Sequence, residues 1–221
     1  MPNPLKTLLQ CDFDATLTIG DVSYVILDHF VDGDWRPILH DFIAGKITVE
    51  ECMTGVFALA RATPRQVEDF VAATDRIVMR PGVEELYTYC RAHDIDLAVI
   101  SNGMEFYISR ILARVGWRDV EIHAAAADIT EHGIHLHFTD PDGNPTMDGF
   151  KKAWAGFLRR RGYDRVYFAG DGPADIAPSK DADHVFATGR LLAACEGEKL
   201  VCTPFEDLHT IIDWLEANAG K

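Results

Sequence analysis

The chain has few cysteines, a shortage of basic charge and no long apolar run. Its five cysteines, Cys11, Cys52, Cys90, Cys195 and Cys202, are odd in number and irregularly spaced, with no C-x-x-C. That argues against a disulfide framework and fits reduced thiols in a cytoplasm. No apolar run approaches the length of a membrane-spanning helix. Met1 to Gln10 carries one lysine and no long apolar stretch, so no signal peptide is expected. Lys plus Arg number 21 against 35 Asp plus Glu, a formal net charge of −14. A surface this acidic repels phosphate backbones and anionic lipid, so no nucleic acid and no membrane is expected as a partner. A small phosphorylated molecule stays open, provided that a cation or local donors neutralise it. Repeats, low-complexity tracts and long linkers are also missing.

What remains is an ordinary globular composition over 221 residues, 48% hydrophobic and 25% charged. A chain this long buries enough surface to need no disulfide or metal staple. Leu8 and Leu9 lead into Cys11-Asp12-Phe13-Asp14. Leu97–Ile100 closes in Ser101-Asn102-Gly103. Val166–Ala169 closes in Gly170-Asp171-Gly172, and Val185–Ala187 is a fourth run. Short unbroken runs ended by polar residues suit strands buried on both faces of a parallel sheet. Met104, Tyr107, Ile108, Ile111, Leu112 and Val115 form one helical stripe between them, and Phe150, Trp154, Phe157 and Leu158 another. The alternation predicts an α/β doubly wound fold.

Residues 20–79 break the alternation. Val22, Val25, Ile26, His29 and Phe30 recur at helical spacing, as do Trp35, Ile38, Leu39 and Phe42. Thr48-x-x-Glu51 and Thr63-Pro64-x-Gln66 read as capping boxes, the second with Pro at the first helical position. A helical insert of roughly sixty residues therefore follows the first strand, dividing the chain into 1–19 with 80–221, and 20–79. Glu121 to Phe138, with Gly133 between, reads as a hairpin.

Four polar clusters fall where open α/β sheets bind ligands, at the C-terminal strand ends. Asp12-Phe13-Asp14-Ala15-Thr16 sets two carboxylates a few ångströms apart, costly unless a cation lies between them or one is protonated. Ser101-Asn102-Gly103 offers a hydroxyl and turn amides ahead of a helix. Gly170-Asp171-Gly172-Pro173-Ala174-Asp175 carries two acids four apart, suited to a hard divalent cation. Each alone also suits a solvated or capped turn. The remaining cluster is Lys151-Lys152. On a helical wheel Lys151 lies about 75° from the apolar stripe and Lys152 nearly opposite it, which favours Lys151; a phase error of one residue would exchange them.

The order D-x-D-x-T, Ser, Lys, G-D-x-x-x-D resembles the haloacid dehalogenase (HAD) superfamily of aspartate-nucleophile phosphatases, from Leu8 to about Trp214. Within it the chain is similar to the phosphoserine-phosphatase-like branch, and there to methionine-salvage phosphatases. The residues that carry this are Asp21, nine after Asp12, the stretch Ser101–Tyr107, and Lys151 followed by Leu158. The resemblance implies a Rossmann-like doubly wound parallel sheet with an inserted α-helical cap over residues 20–79. It implies Mg²⁺-dependent hydrolysis of a small phosphorylated metabolite, with Asp12 as nucleophile and Asp14 as acid and base. Mg²⁺ would be held by Asp12, the Asp14 carbonyl, Asp171 and Asp175, and phosphate by Thr16, Ser101, Asn102, Gly103 and Lys151, with Asp21 facing the leaving group. A homodimer is compatible with the sequence. The chain departs from the pattern at Ala15 and Asn102, where glycine is usual, and at Asp21, where phosphoserine phosphatases carry glutamate. The cysteine-rich stretch that precedes the lysine in some salvage phosphatases is missing. A receiver domain, the rival that also phosphorylates an aspartate, is much shorter and has no helical insert. A non-catalytic binding protein on the same fold would be expected to have lost Asp12 or Asp14.

Three features read as structural. His135 and His137 share a strand face near His132 without an obvious acidic partner. Cys11 points away from Asp12 into packing, and Arg159-Arg160-Arg161 complements a helix end.

Overall fold

The structure, a computed structural model, describes residues 5–218. In chain order its elements are β1 (Thr7–Cys11), β2 (Thr18–Ile19), α1 (Val22–Phe30), α2 (Arg36–Ile43), α3 (Val49–Phe57), α4 (Pro64–Ala73), β3 (Val78–Met79), α5 (Val83–Ala92), β4 (Ile95–Met104) and α6 (Glu105–Arg114). There follow β5 (Glu121–Thr130), β6 (Gly133–His137), α7 (Phe150–Arg159), β7 (Arg165–Gly170), α8 (Ile176–Ser179), β8 (His184–Ala187), α9 (Gly189–Glu198), β9 (Cys202–Pro204) and α10 (His209–Asn218).

Seven strands form one sheet in the order β6-β5-β4-β1-β7-β8-β9, parallel except for β6. β1 is buried along its whole length because it pairs on both sides, Leu9 facing Leu97 of β4 and Tyr167 of β7. Its central place in the sheet explains why burial does not alternate along it, Thr7 and Gln10 included. Being central, it delivers Asp12 to the middle of the C-terminal sheet edge, and a hydrogen bond from the Asp12 amide to the Ala169 carbonyl (2.9 Å) extends the pairing one step further.

Four helices, α1–α4, stand between β2 and β3. The two short strands pair antiparallel, Thr18 opposite Met79, so both chain crossings run side by side. Thr48 and Thr63 each accept from the backbone amide three residues on while Glu51 and Gln66 bond back, and Pro64 opens α4. Both boxes thus form as their spacing predicts. No helix among the described residues is long and apolar enough to cross a membrane.

Two readings need correction, and a third gains detail. The Ser101–Gly103 segment is not a turn: β4 runs on to Met104, with an irregularity in its pairing to β5 between Ile100 and Met104, and α6 starts directly after it. His137 does have an acidic partner, Asp128 at 2.9 Å, supplied by the antiparallel strand. The arginine run does stand at the end of α7, and two of its members also make ion pairs, Arg159 with Asp183 and Arg161 with Glu121.

Candidate active site

The loop after β1 bends sharply enough that Ala15 adopts φ +57°, the left-handed region that favours glycine. Alanine carries the Cβ cost of that region, about 1–2 kcal/mol. The bend sends Asp12 and Asp14 to different surroundings. Asp12, 5% exposed, receives the Lys151 ammonium at 2.7 Å and its neighbour Phe13's amide at 2.7 Å. Asp14 accepts from the Val22 amide (2.8 Å) and the Tyr107 hydroxyl (2.6 Å), and that hydroxyl also bonds Ser23 Oγ at 2.9 Å.

Lys151 is itself 5% exposed; Lys152 is exposed to solvent. The Lys151 ammonium bridges Asp12 to Asp175, 2.8 Å on the second side. Asp175 is fully buried. Its other oxygen accepts from the Asp171 and Gly172 amides, at 3.1 and 2.9 Å. Both Asp175 oxygens are therefore engaged, and the residue fixes Lys151 and the Asp171 loop together.

Asp12, Asp171 and Asp175 offer carboxylate oxygens within 4.8 Å of one another. Three carboxylates share one ammonium, so the cluster carries an excess of negative charge. Burial first, then Asp175, pushes Asp12 well above the usual carboxylate range despite Lys151; the same two causes lift Asp171 to about 6. Burial opposes the Lys151 charge, but Asp12 and Asp175 outweigh it and hold the ammonium above its ordinary range. Hard oxygen donors with surplus negative charge fit a divalent cation such as Mg²⁺. Because the Asp175 oxygens are engaged, Asp12 and Asp171 are the freer donors.

Ser101 and Asn102 are buried, and the Gly103 amide donates to Ser101 Oγ at 3.0 Å. All three line the cavity with Asp12, Asp14 and Lys151. Asp21 lines it as well, caps α1 through the Tyr24 amide (3.2 Å), and is raised well above its ordinary range by burial and then by Asp14. Thr16 does not join them. The turn carries it beneath the surface, where its hydroxyl makes a long bond (3.4 Å) to Asp171.

The cavity measures about 590 Å³. Asp12, Asp171 and their neighbours form one wall; Trp35, Leu39, Phe42, Ile43, Met53 and Val56 of the inserted segment form the other. The cations among its lining residues are Lys151 and, on α9, Arg190. The inserted segment's arginines are engaged elsewhere: Arg36 and Arg76 with Asp28, Arg65 with Asp69, and Arg61 with the Ala58 and Ala60 carbonyls.

Sequence reasoning missed two supports. Tyr107 reads as core on its helical stripe, yet a buried tyrosine hydroxyl needs a partner, and Asp14 is that partner. Arg80, just past β3, donates to the carbonyls of Ala15 (2.5 Å), Thr16 (2.6 Å) and Glu206 (2.7 Å), locking the loop that holds Asp14. A lone arginine gives no such signal in a sequence.

A parallel sheet that gathers three aspartates and one lysine under an apolar roof defines an α/β enzyme with an acidic centre suited to a cation. The model of the haloacid dehalogenase-like hydrolase family matches residues 9–178, and the chain belongs to that family. It is 30% identical to the 2-hydroxy-3-keto-5-methylthiopentenyl-1-phosphate phosphatase of Brevibacillus brevis, over 96% of each chain. It is 28% identical to the like-named protein of Exiguobacterium sibiricum, over 94% of this chain and 95% of that one. Among solved structures, a substrate-bound phosphoserine phosphatase superposes with a TM-score of 0.72 at 20% identity, covering 95% of this chain and 98% of that one.

Proposed function

We propose that the protein is a Mg²⁺-dependent phosphatase acting on a small phosphate monoester through an aspartyl-phosphate. The observation that carries the reading is the unequal treatment of two carboxylates two residues apart. Asp12 faces an ammonium, which suits an anionic nucleophile. Asp14 accepts from uncharged donors, the Val22 amide and the Tyr107 hydroxyl, which suits a carboxyl that must carry a proton; burial raises both acids, so the partners make the difference.

In the first step an Asp12 oxygen attacks phosphorus, the ester P–O bond breaks, and the Asp14 proton passes to the departing oxygen. In the second, water attacks the aspartyl-phosphate and gives its proton to Asp14, which frees inorganic phosphate and restores the Asp12 carboxylate. Ser101 Oγ, the Gly103 amide and Lys151 hold phosphoryl oxygens. Bound Mg²⁺, held by Asp12, the Asp14 carbonyl and Asp171 with Asp175 behind them, would neutralise charge between nucleophile and phosphate. Residues 20–79 act as a cap that excludes water.

The substrate we favour is 2-hydroxy-3-keto-5-methylthiopentenyl-1-phosphate, on which the named relatives act. The apolar wall suits a methylthio tail, and Asp21 suits the oxygens nearer the ester. An amino-acid phosphate is the second reading, favoured by one observation: Arg190 at the cavity would pair with a carboxylate. One assay separates them. Released phosphate should appear with kcat/KM at least about tenfold higher for the keto-enol ester than for phosphoserine. The opposite order would overturn the substrate, and no Mg²⁺-dependent release from either ester or from a panel of phosphorylated metabolites would overturn the activity.

A further inference from the structure

Glu50 is a carboxylate that the chemistry above leaves unused, and it is 1% exposed. It lies in the first turn of α3, whose own N-terminus is already served by Thr48 and Glu51. Its Oε1 accepts instead from two groups far away in sequence, Asn102 Nδ2 at 3.3 Å and the Phe150 amide at 2.9 Å. Asn102 stands between Ser101 and Gly103, and Phe150 directly precedes Lys151. One oxygen atom on an inserted helix thus touches both segments that carry the phosphoryl-binding groups.

The Phe150 amide is the first of α7, and the N-cap residue there, Gly149, has no side chain with which to receive it. Glu50 provides that acceptor from another part of the chain, and its negative charge favours the helix end. A second bond from the same turn of α3, Thr48 Oγ1 to the Met147 carbonyl (2.7 Å), fastens it to the loop ahead of α7. Glu50 Oε2 and Asn102 Oδ1 are buried without a hydrogen-bond partner.

We infer that Glu50 is a positioning residue: seating α3 fixes the spacing between the Ser101–Gly103 segment and Lys151, so the phosphoryl-binding groups come into register only when the inserted helices are docked. This rests on the reading that those groups hold the phosphoryl oxygens. What matters is reach more than charge. Glutamine keeps an acceptor at the same distance and turns an unpartnered buried acceptor into a donor, whereas aspartate keeps the charge and falls one methylene short.

The test compares wild type with Glu50→Gln, Glu50→Asp and Glu50→Ala. The readouts are kcat and KM on p-nitrophenyl phosphate, inhibition by orthovanadate, and Tm. Glu50→Asp and Glu50→Ala should lose about tenfold or more in kcat and bind orthovanadate correspondingly more weakly, whereas Glu50→Gln should stay within about threefold of wild type. Should Glu50→Ala fail to fold, the Asp and Gln pair decides. Wild-type kcat and orthovanadate inhibition in Glu50→Asp, or a Gln variant as impaired as the Asp variant, overturns the inference and leaves the phosphatase reading standing. A wild-type protein that releases no phosphate overturns both.

Discussion

The Tyr107 hydroxyl lies 2.6 Å from Asp14 Oδ2 and 2.9 Å from Ser23 Oγ, so one buried phenol links α6, α1 and the loop after β1. The bond to Asp14 favours its ionised form and works against the rise caused by burial. Tyr107→Phe should therefore raise the Asp14 pKa further. The first chemical step needs Asp14 protonated, so the high-pH limb of kcat/KM should move to higher pH. A pH–rate profile of the variant reads this directly; a limb that stays in place or moves down would remove Asp14 as the acid.

Gly103 faces the same pair. A Cβ built there would lie 1.9 Å from the Tyr107 hydroxyl and 2.7 Å from Asp14 Oδ2, so both groups must shift. Gly103→Ala should cost about 10²-fold in kcat/KM. Gly197→Ala, with nothing within 4 Å of the added carbon, is the control. It should leave kcat/KM unchanged.

Lys151→Ala leaves Asp12 and Asp175 buried without their counter-ion. We expect a loss of about 10²-fold or more in kcat/KM. Denaturant titration should show a loss of about 3–5 kcal/mol in stability. Lys152→Ala should change neither, because that side chain is exposed to solvent. The reverse pattern would exchange the two assignments.

The acid cluster makes cation binding depend on pH. Asp12 and Asp171 titrate above their unfolded values, so their burial is cheapest when protonated at low pH and most costly once pH rises past the folded values, about 6 for Asp171. Saturating Mg²⁺ should raise Tm by about 5 °C or more at pH 8 and by much less at pH 5, where protons compete for the same oxygens. Equal shifts at both pH values, or none at pH 8, would show that the carboxylates do not hold the ion.

Much of this arrangement was legible beforehand because the signals are local. The capping boxes at Thr48 and Thr63 need only four consecutive residues, and the inward phase of Lys151 follows from the helical repeat of Phe150, Trp154 and Leu158. The aspartates stood out because buried strands end in polar residues. Arg80, Tyr107 and Glu50 did not, because each acts on a partner more than fifty residues away. Glu50 in particular looks like one more acid in a helical first turn until α7 is brought against it. The extension of β4 through Gly103 was hidden for a related reason: Ser-Asn-Gly has turn chemistry, and the strand resumes its pairing with β5 only beyond it, at Met104.

The antiparallel pairing of Thr18 with Met79 has an engineering consequence. The sixty-odd residues between them leave and re-enter the sheet domain at adjacent points, so by connectivity they form a module that could be grafted between relatives without re-routing the rest of the chain. Energetically the graft is less free. A donor segment would also have to bring an acceptor of Glu50's length to the buried first amide of α7, and otherwise a replacement chosen only to change substrate range would slow the chemistry on every substrate.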